Sequence, residues 1–427
     1  MTSYSLLILA GEASGDYHAA AMLNELTRIE PGIRARGIGG DMLKQAGMEL
    51  LFHYRDINTI GLNEGLARLR SIFHAYRTMK AELQQGSHDL FVPVDYPDVN
   101  LRLCRFAKEA QVPVCYYISP QVWAWRQGRM RKIARRVDRM MTIFPFEEAM
   151  YRVAGVTADF VGHTMVRDVP EHVDKAAIRR ELGLDPDKYT VALVPGSRPA
   201  EIRRVLSHMC EAARLNASRF PETRFVLPLA GEHLRETVES LVARSGVPIS
   251  VSSAGAARVM AACDSGLVTS GTATLQAALA GLPHAVVYVM DGFSWWLAVR
   301  IIKPLLMASD VHVAIANVLA IKEESSPHGP LQEMLAAGFH IPCQECGRPL
   351  FVPELLQDAV TPEELARWLE RFRTEQALTE AMQRGFFRLR SMLASPDGTR
   401  TPARVVIETL RESRSQGPEK MKGPRAG

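Results

Sequence analysis

The sequence has few cysteines and lacks long apolar runs. It contains six cysteines in 427 residues, and only Cys343 and Cys346 stand in a Cys-x-x-Cys pair. Scattered cysteines are typical of a reducing compartment, and a single pair without a partner pair does not indicate a zinc site. No segment approaches the roughly 18 apolar residues of a transmembrane helix. The short apolar run at the N-terminus lacks a basic flank, so we expect no signal peptide and a cytoplasmic protein.

The sequence also lacks a strong charge of either sign. It has 51 Lys and Arg residues against 47 Asp and Glu residues, for a formal net charge of +4. This excess does not by itself predict a nucleic-acid-binding protein. The hydrophobic fraction of 47% is typical of a folded globular chain. A length of 427 residues exceeds that of an ordinary single domain, so we expect two domains.

Strand-like runs alternate with helical patterns, and the pattern starts again in the middle of the chain. We predict strands at 4–10, 34–40, 89–95, 112–120, 140–144, 189–195, 223–229, 249–252, 265–269 and 285–290. This alternation predicts an α/β protein with two doubly wound, Rossmann-like domains, over residues 1–170 and 171–375. A cleft between two such domains is a natural substrate site. Helices are expected after residue 362, and a disordered tail is expected over 412–427.

A glycine-containing loop follows the first predicted strand. Glu12, Ser14, Gly15 and Asp16 lie in it, directly after the apolar run 4–10. Open α/β sheets bind ligands at the carboxyl ends of their central strands, and glycine allows a ligand to approach the backbone closely. Ser14 or Asp16 could cap the following helix. An ordinary strand-to-helix loop is the alternative interpretation.

Further polar residues follow the strand predicted at 89–95. Asp95, Asp98 and Asn100 would lie at the same sheet edge as Glu12. A carboxylate placed there could accept a proton from an attacking hydroxyl, which typically contributes a factor of ~10²–10⁴ in rate. Capping of the next helix by Asp98 is the alternative, and the spacing alone favours it.

A basic segment follows two tryptophans. Seven cations and one acid lie within residues 126–139. Such a segment could bind anionic lipid or phosphate, whereas no known nucleic-acid-binding module surrounds it. A solvated helix face is the plain alternative, but the charge excess favours a surface role for Trp123, Trp125, Arg129 and Arg136. The apolar segment 292–303 is either a core helix or a surface that faces acyl chains.

Two helix starts in the second half could bind phosphate groups. The residues concerned are Gly196, Ser197, Arg198, Ser270, Gly271 and Thr272. Free N–H groups at helix N-termini favour anions, and an arginine adds a forked donor, so the two turns together suggest a nucleoside diphosphate. They match neither the P-loop nor the dinucleotide-binding fingerprint, and simple helix caps are the alternative. Gln276 could reach a ribose hydroxyl, and His163 is either a ligand contact or a hinge residue.

Together these segments resemble one enzyme family. Residues 10–16, 97–100, 119–126, 162–164, 195–198 and 270–274 occur in the order and composition of the lipid-A-disaccharide synthases. The resemblance extends from about Ser5 to Glu408. It implies an inverting glycosyltransferase of GT-B fold that acts in lipid A biosynthesis. Such an enzyme joins UDP-2,3-diacylglucosamine to 2,3-diacylglucosamine 1-phosphate through a β-1′,6 bond and releases UDP.

The resemblance also implies the surroundings of the reaction. It implies no metal ion, no cofactor and no nucleic acid, and a UDP-sugar that is a substrate. It implies peripheral association with the anionic cytoplasmic surface of the inner membrane. A homodimer with exchanged C-terminal segments is one option, so the helices of residues 376–411 would pack on an N-terminal domain, either their own or a partner's. Alternatives are another UDP-sugar transferase or epimerase of GT-B fold, or a non-catalytic lipid-surface protein.

Individual roles follow from the resemblance. Asp98 would be the general base for the acceptor 6-hydroxyl, and Glu12 would be a second candidate or would orient Asp98. Arg198 would bind the diphosphate, and Asn317 would lie near the donor sugar. The acceptor-side residues would be Ser14, Gly15, Asn100 and His163. Two features depart from the family: Gln276 replaces the usual glutamate, and the segment 321–349 is longer than expected.

Overall fold

The chain forms two compact units in a computed structural model. The structure describes residues 3–58, 65–123, 127–171, 173–291, 314–322, 329–343 and 346–416. The first unit comprises Met1–Thr164 and Leu393–Gly427, and the second comprises Met165–Met392. The division therefore falls after residue 164, where the sequence suggested 170. Most of the helix that follows residue 375 belongs to the second unit.

The first unit is built on a seven-stranded parallel sheet. Its strands are β1 (Tyr4–Ala10), β2 (Ile33–Gly39), β3 (Glu49–His53), β4 (Leu90–Val94), β5 (Cys115–Tyr117), β6 (Arg139–Thr142) and β7 (Thr157–Phe160). The strand order is β3-β2-β1-β4-β5-β6-β7. β4 is buried along its whole length, as expected for a parallel sheet covered by helices on both faces. The edge strand β3 was not predicted, although Leu50, Leu51 and Phe52 form a short apolar run within it.

Helices cover both faces of this sheet. They are α1 (Ala13–Ile29), α2 (Asp41–Gln45), α3 (Tyr54–Asn58), α4 (Gly65–Gln84), α5 (Pro97–Glu109), α6 (Met130–Arg136) and α7 (Pro145–Val153). Apolar side chains of α1 pack with those of β1 and β4 in one core cluster, and those of α4 and α5 pack in another. The core on each face is therefore formed by the apolar stripe of each amphipathic helix.

The second unit contains a six-stranded parallel sheet and a small antiparallel hairpin. The sheet strands are β8 (Thr190–Val194), β9 (Arg224–Pro228), β10 (Ile249–Ser252), β11 (Ser265–Thr269), β12 (His284–Tyr288) and β15 (Glu354–Leu356). They are ordered β10-β9-β8-β11-β12-β15. The hairpin pairs β13 (Ile341–Pro342) with β14 (Pro349–Leu350). It occupies part of the segment that is longer than expected from the family.

The helices of the second unit run from residue 165 to residue 393. They are α8 (Met165–Asp168), α9 (Lys175–Glu181), α10 (Pro199–Arg219), α11 (Arg235–Ala243), α12 (Ala256–Ala262), α13 (Thr272–Leu279), α14 (Ile315–Lys322), α15 (Pro330–Ala336), α16 (Pro362–Thr374) and α17 (Gln376–Leu393). Phe386 of α17 packs on Phe351 and His284, with ring centroids 5.0 and 5.6 Å apart. These contacts place α17 in the second unit, although the sequence grouped it with the helices that return to the N-terminal domain.

The last helix returns to the first unit of its own chain. α18 (Pro402–Gln416) contributes Val405 and Leu410 to the core cluster of β1 and α1. The Thr401 hydroxyl donates to the Glu25 carboxylate at 2.6 Å, which fixes the start of this helix. The helix continues five residues into the predicted tail, over 412–416, and Arg414 within this stretch donates to the carbonyl of Ser3 at 2.9 Å. The predicted tail from residue 417 onward lies outside the described residues.

In both sheets the strand order reverses direction at the first strand of the unit. In the first sheet β2 and β4 lie on opposite sides of β1, and in the second sheet β9 and β11 lie on opposite sides of β8. The loops that leave neighbouring strands at such a point diverge to opposite faces and leave room for a ligand at the carboxyl edge of the sheet. The predicted site residues are concentrated in these loops. Among the helices that the structure describes, none combines the length and apolarity needed to cross a membrane.

Candidate active site

The two loops at the switch point of the first sheet pack directly on each other. A Cβ atom placed on Gly11 would lie 2.6 Å from the ring of Tyr96, so only glycine fits there. Asp95 and Tyr96 both have left-handed backbones, each with a φ of 48°. Such residues cost roughly 1–3 kcal/mol each and persist where their surroundings hold them. The Asp95 carbonyl accepts hydrogen bonds from Asn100 Nδ2 and Tyr116 Oη, each at 2.6 Å.

Glu12 faces Asp95 across these loops. Glu12 is exposed and stands just before the first turn of α1, whereas Asp95 is half-buried. Burial raises the pKa of Asp95, the backbone N–H of Tyr96 lowers it, and the negative charge of Glu12 raises it further. The sequence placed Asp95 and Asp98 at the same sheet edge as Glu12 but assigned the chemical role to Asp98. The left-handed backbone at Asp95 is a local conformation that spacing along the sequence does not reveal.

Asp98 lies in the first turn of α5 and pairs with Arg129. The Asp98 side chain is 63% exposed, and that of Arg129 is 12% exposed. The guanidinium donates to Asp98 Oδ1. Asp98 is therefore open to a substrate on one side and held by a cation on the other. Arg129 was predicted to face a membrane, but the structure instead buries it against this carboxylate.

The other predicted acceptor-side residues have structural contacts. Ser14 is exposed in the first turn of α1, and Gly15 is buried at a point where an added Cβ atom would lie 3.5 Å from Ala10 and 3.7 Å from the carbonyl of Val94. Asn100 is fully buried and fixes the Asp95 loop rather than contacting solvent. Its role in this structure is therefore to position the acidic loop, in place of the predicted contact with an acceptor.

Asp16 does not cap its own helix. Its buried carboxylate accepts hydrogen bonds from the backbone N–H groups of Gly40, Met42 and Leu43, at 2.6, 3.1 and 3.2 Å. These groups belong to the start of α2, where free N–H groups need an acceptor. The acidic residue at the end of the opening motif thus ties the loop after β1 to the loop after β2.

His163 is buried within the first unit. Its backbone N–H donates to the carbonyl of Leu393 at 2.8 Å, and its ring packs on Phe144 with centroids 5.4 Å apart. Burial lowers the pKa of His163 to about 4, with a further contribution from His18, so the ring is neutral near pH 7. This packing is compatible with a structural role, and the contact of His163 with a ligand stays a prediction.

A buried carboxylate, that of Glu147, holds the loop from Ser119 to Trp123 in place. Glu147 is fully buried and accepts hydrogen bonds from Ser119 Oγ at 2.7 Å and from Trp123 Nε1 at 2.9 Å. Burial raises the pKa of Glu147 to about 7, against the lowering effect of these donors. The Trp123 ring also packs edge-on against Phe146, with centroids 5.3 Å apart. Trp123 is thus held inward rather than presented to a lipid surface, and Trp125 lies outside the described residues.

Three of the six basic residues that the structure describes in this segment, Arg129, Arg136 and Arg139, are engaged within the fold. Arg136 donates to the carbonyl of Leu101 at 2.7 Å, and Arg139 is buried against Asp159 at 2.6 Å. The basic side chains of α6 that remain exposed are those of Arg131, Lys132 and Arg135. A membrane-facing role for Arg136 therefore does not fit its contact with α5. The sequence signal for Glu147 was available, since a proline at 145 and a glutamate two residues later indicate a helix start.

The first phosphate-binding candidate follows β8. Gly196 has a φ of 100°, and a Cβ atom there would lie 2.9 Å from the Glu201 carboxylate. Ser197 is exposed, and Arg198 stands just before the first turn of α10 with its side chain 79% exposed. Arg198 Nη1 donates to Glu201 Oε1 at 2.8 Å. The turn thus presents a cation and the free N–H groups of a long helix to solvent.

The second candidate follows β11, the neighbour of β8. Ser270 donates its backbone N–H to the carbonyl of Val287 at 3.2 Å, and Gly271 has a φ of 133°. Gly271 and Thr272 are exposed at the start of α13, and Gln276 is half-buried one turn later. Since β8 and β11 are adjacent, the two helix N-termini emerge side by side. The structure thus places at one sheet edge the two turns that the sequence combined in predicting a nucleoside diphosphate site.

Asn317 is committed to the backbone of the second unit. Its Nδ2 donates to the carbonyl of Val352 at 2.9 Å and to Glu354 Oε1 at 2.7 Å. Its Oδ1 accepts from the N–H groups of Phe351 and Val352, at 2.9 and 2.8 Å. The side chain is fully buried. The predicted contact with a donor sugar therefore does not fit this geometry, and Asn317 instead joins α14 to the segment before β15.

The cysteine pair belongs to the β13–β14 hairpin. Cys343 is buried and Cys346 is half-buried, and neither of these two described residues takes part in a disulfide. The Cys343 N–H donates to the carbonyl of Arg348 at 2.8 Å, so this part of the hairpin is a hydrogen-bonded turn. Within the described ranges, no group of three or more His, Cys, Asp or Glu side chains lies close enough together to hold a metal ion.

The chain matches a known family along most of its length. Residues 6–329 match the family described as lipid-A-disaccharide synthetase. A lipid-A-disaccharide synthase of Anaeromyxobacter dehalogenans (strain 2CP-1) is 39% identical over 95% of this chain and 96% of that relative. The lipid-A-disaccharide synthase of Geobacter metallireducens is 35% identical over 96% of this chain and 98% of the relative.

Solved structures of other enzymes share the architecture. The UDP-GlcNAc 2-epimerase of Neisseria meningitidis, solved with UDP-GlcNAc, has a TM-score of 0.57 at 12% identity and covers 96% of this chain and 100% of its own. The calicheamicin glycosyltransferase CalG4 has a TM-score of 0.53 at 15% identity and covers 96% of this chain and 99% of its own. At such identities the likeness concerns the fold alone. It confirms the predicted GT-B class with two Rossmann-like domains.

Proposed function

Because this chain belongs to the lipid-A-disaccharide synthase family, we propose that it condenses UDP-2,3-diacylglucosamine with 2,3-diacylglucosamine 1-phosphate. The product is the β-1′,6-linked disaccharide 1-phosphate, and UDP is released. The observation that carries this proposal is the pair of adjacent helix N-termini in the second unit. They emerge from β8 and β11, with Arg198 exposed beside them. This arrangement suits a diphosphate carried by a sugar donor.

The proposed chemistry is a single displacement at the anomeric carbon. Asp98 accepts the proton of the acceptor 6-hydroxyl, the oxygen bonds to the anomeric carbon, and the bond from that carbon to the diphosphate oxygen breaks. UDP leaves with the bonding electron pair, and the configuration at the anomeric carbon inverts. The exposed carboxylate of Asp98, held by Arg129, supports its role as general base. Asp95 and Glu12 contribute negative charge beside it.

The leaving group needs positive charge. We assign this role to Arg198 and to the N–H groups at the starts of α10 and α13, which would be arranged before the reaction begins. Arg198 must exchange its contact with Glu201 for the diphosphate. The proposed reaction therefore proceeds without a metal ion or a cofactor. We assign Gln276, which follows the turn at 270–272 in sequence, to the ribose. As a neutral side chain it makes weaker hydrogen bonds than a glutamate would make.

The proposed substrates are lipids, so we place the reaction at the cytoplasmic surface of the inner membrane. The exposed cations Arg131, Lys132 and Arg135 support weak attraction to anionic headgroups, because each exposed cation near such a surface contributes about 1 kcal/mol. A homodimer stays a prediction. The packing of α18 on its own first unit supports a chain that needs no segment exchange.

The test is a reconstituted condensation assay. The purified protein, both proposed substrates and detergent micelles are incubated with and without added EDTA, and the disaccharide and UDP are quantified by mass spectrometry. We expect equal amounts of both products, in the presence of EDTA as well. A folded protein that releases no UDP and makes no disaccharide contradicts the proposal. Conversion of UDP-GlcNAc to its 2-epimer instead would identify an epimerase.

A further inference from the structure

The first unit contains an apolar cavity between α4 and α5. Its volume is about 340 Å³, within the range of roughly 300–1,000 Å³ that is usual for small-molecule sites. Of the twelve lining residues, all in the described part of the chain, Arg102 carries a charge and the other eleven do not. Apolar side chains that form the wall include those of Leu9, Ile38, Met79 and Leu103. The cavity is therefore suited to hydrocarbon and poorly suited to a sugar or a nucleotide.

The position of the cavity links it to the acidic loops. Gly11 and Tyr96, whose contact joins the loops after β1 and β4, also line the cavity. Val99 lines it one residue after Asp98. One end of the cavity thus lies at the loops that carry the proposed general base. The other end reaches α4, where Phe73 lines the cavity and is 59% exposed.

The depth of the cavity indicates a chain rather than a surface contact. Leu9, Met79 and Leu103 are at most 2% exposed, so part of the wall lies in the core of the unit. Ile72 and Tyr76 also line the cavity and are half-buried, intermediate in exposure between this buried part and Phe73. A flat membrane surface would contact exposed side chains, whereas a wall that continues into the core admits a flexible, narrow group. A saturated chain has that shape and gains about 0.8 kcal/mol for each buried methylene.

We propose that this cavity binds an acyl chain of the acceptor lipid and thereby selects its chain length. The proposal rests on the proposed function, which places the acceptor hydroxyl beside Asp98. The acceptor chains are attached to the same sugar ring as that hydroxyl, so one of them can enter at Gly11 and Tyr96 while the hydroxyl meets the base. The donor is the less suitable occupant, because its diphosphate is assigned to the second unit.

The first measurement is direct binding of acceptors with acyl chains of increasing length, by isothermal titration calorimetry below the critical micelle concentration. In the unmodified protein we expect the affinity to rise about fourfold for each added methylene until the cavity is filled, and then to level off. The variant Ile72→Trp fills the cavity. We expect it to lose at least tenfold in affinity for the longest chains and to bind short chains as before.

The matched control is Ile178→Trp. Ile178 is also a half-buried isoleucine on a helix, in the second unit, and it does not line the cavity. The enlarging variant Met79→Ala should shift the plateau toward longer chains, and it keeps the test decisive if Ile72→Trp fails to fold. The inference is overturned if the filled and enlarged variants keep the chain-length profile of the unmodified protein, or if the control changes it equally.

The same variants, tested in the condensation assay, distinguish the acceptor lipid from the donor lipid as the occupant of the cavity. They also distinguish failure of this inference from failure of the proposed function. A shift in chain-length preference for the acceptor, with an unchanged preference for the donor, supports the inference. A shift that appears for the donor alone overturns it. If neither the unmodified protein nor any variant forms the disaccharide, the proposed function fails. The binding profile of the acceptor series then still decides whether the cavity accepts an acyl chain.

Discussion

The Asp98 carboxylate and the Arg129 guanidinium form an ion pair that joins the start of α5 to the turn before α6. The two partners differ in exposure: Arg129 is nearly buried, and Asp98 is open. An exposed carboxylate on a flexible side chain would sample many orientations, whereas the nearly buried Arg129 guanidinium holds Asp98 at its Oδ1 atom. This pair is the clearest geometric reason to regard Asp98 as a base with a defined direction.

Replacement of Asp98 by asparagine should remove proton transfer and leave binding nearly intact. We expect Asp98→Asn to lower kcat by a factor of ~10²–10⁴ with little change in the KM for the UDP-sugar. Arg129→Gln should lower kcat less, because the base remains but loses its fixed orientation. The measurement is steady-state UDP release. The control is Glu109→Gln, which removes another exposed, arginine-paired carboxylate of α5. Normal turnover by Asp98→Asn would contradict this role.

The buried Glu147 should make the stability of the protein depend on pH. Its pKa in the folded chain is about 7, above the ordinary value of 4.5. Between these values the unfolded chain loses its proton first, so stability falls as pH rises, by about 3 kcal/mol at most. The fall is complete above pH 7.

Glu147→Gln should flatten this pH dependence. Urea unfolding is measured at pH 5, 6, 7 and 8. We expect the free energy of unfolding of the unmodified protein to include this decline and that of the variant to lack it. His163, which packs on the ring of Phe144, acts in the opposite direction, because burial lowers its pKa to about 4. The comparison is therefore made between the two proteins at each pH. Parallel curves for the two proteins would show that Glu147 does not titrate in this range.

Loss of the Asn317 side chain should destabilise the second unit. Asn317→Ala removes four hydrogen bonds and leaves the N–H groups of Phe351 and Val352 buried without an acceptor. Each buried, unsatisfied group costs about 1–3 kcal/mol, so we expect a loss of about 3–5 kcal/mol in chemical unfolding. Asn24→Ala, at an exposed position of α1, is the control and should change stability little. Equal stability of both variants would be inconsistent with the observed contacts.

The sequence predicts the strand-to-helix loops more reliably than the partners within them. Apolar runs followed by small residues locate the loops after β1, β4, β8 and β11, because a buried parallel strand and its turn are local patterns. The partner of Asp98 is 31 residues away, and that of Asn317 is 37 residues away. Such contacts depend on how elements pack, and spacing along the chain does not encode them.

The same reasoning explains the misassigned surface residues. The cations of 129–139 form one run in sequence, and a helical face was the natural interpretation. In the structure Arg129, Arg136 and Arg139 point into the fold, because each reaches an acceptor on another element. Trp123 is held inward by a hydrogen bond to Glu147. This orientation cannot be predicted before the position of Glu147 is known. The net charge of a segment therefore indicates a charged surface only after the residues that bond to acceptors within the fold are left out of the count.

Arg198 offers the sharpest test of the diphosphate site. We expect Arg198→Ala to weaken UDP binding by at least tenfold and Arg198→Lys to restore part of it, because lysine keeps the charge but loses the forked donor. The affinity of the unmodified protein for UDP should fall as salt increases, and that of Arg198→Ala should fall less steeply. The measurement is calorimetry with UDP at several salt concentrations.

The control for this experiment lies on the same helix. Arg214 is half exposed and pairs with Glu211 three residues away, as Arg198 pairs with Glu201, but it lies far from the helix start. Arg214→Ala should therefore leave UDP affinity and its salt dependence unchanged. If Arg198→Ala and Arg214→Ala behave alike, a general change in surface charge explains the loss, and Arg198 is not a specific diphosphate ligand. A loss confined to Arg198→Ala assigns the diphosphate to the turn after β8.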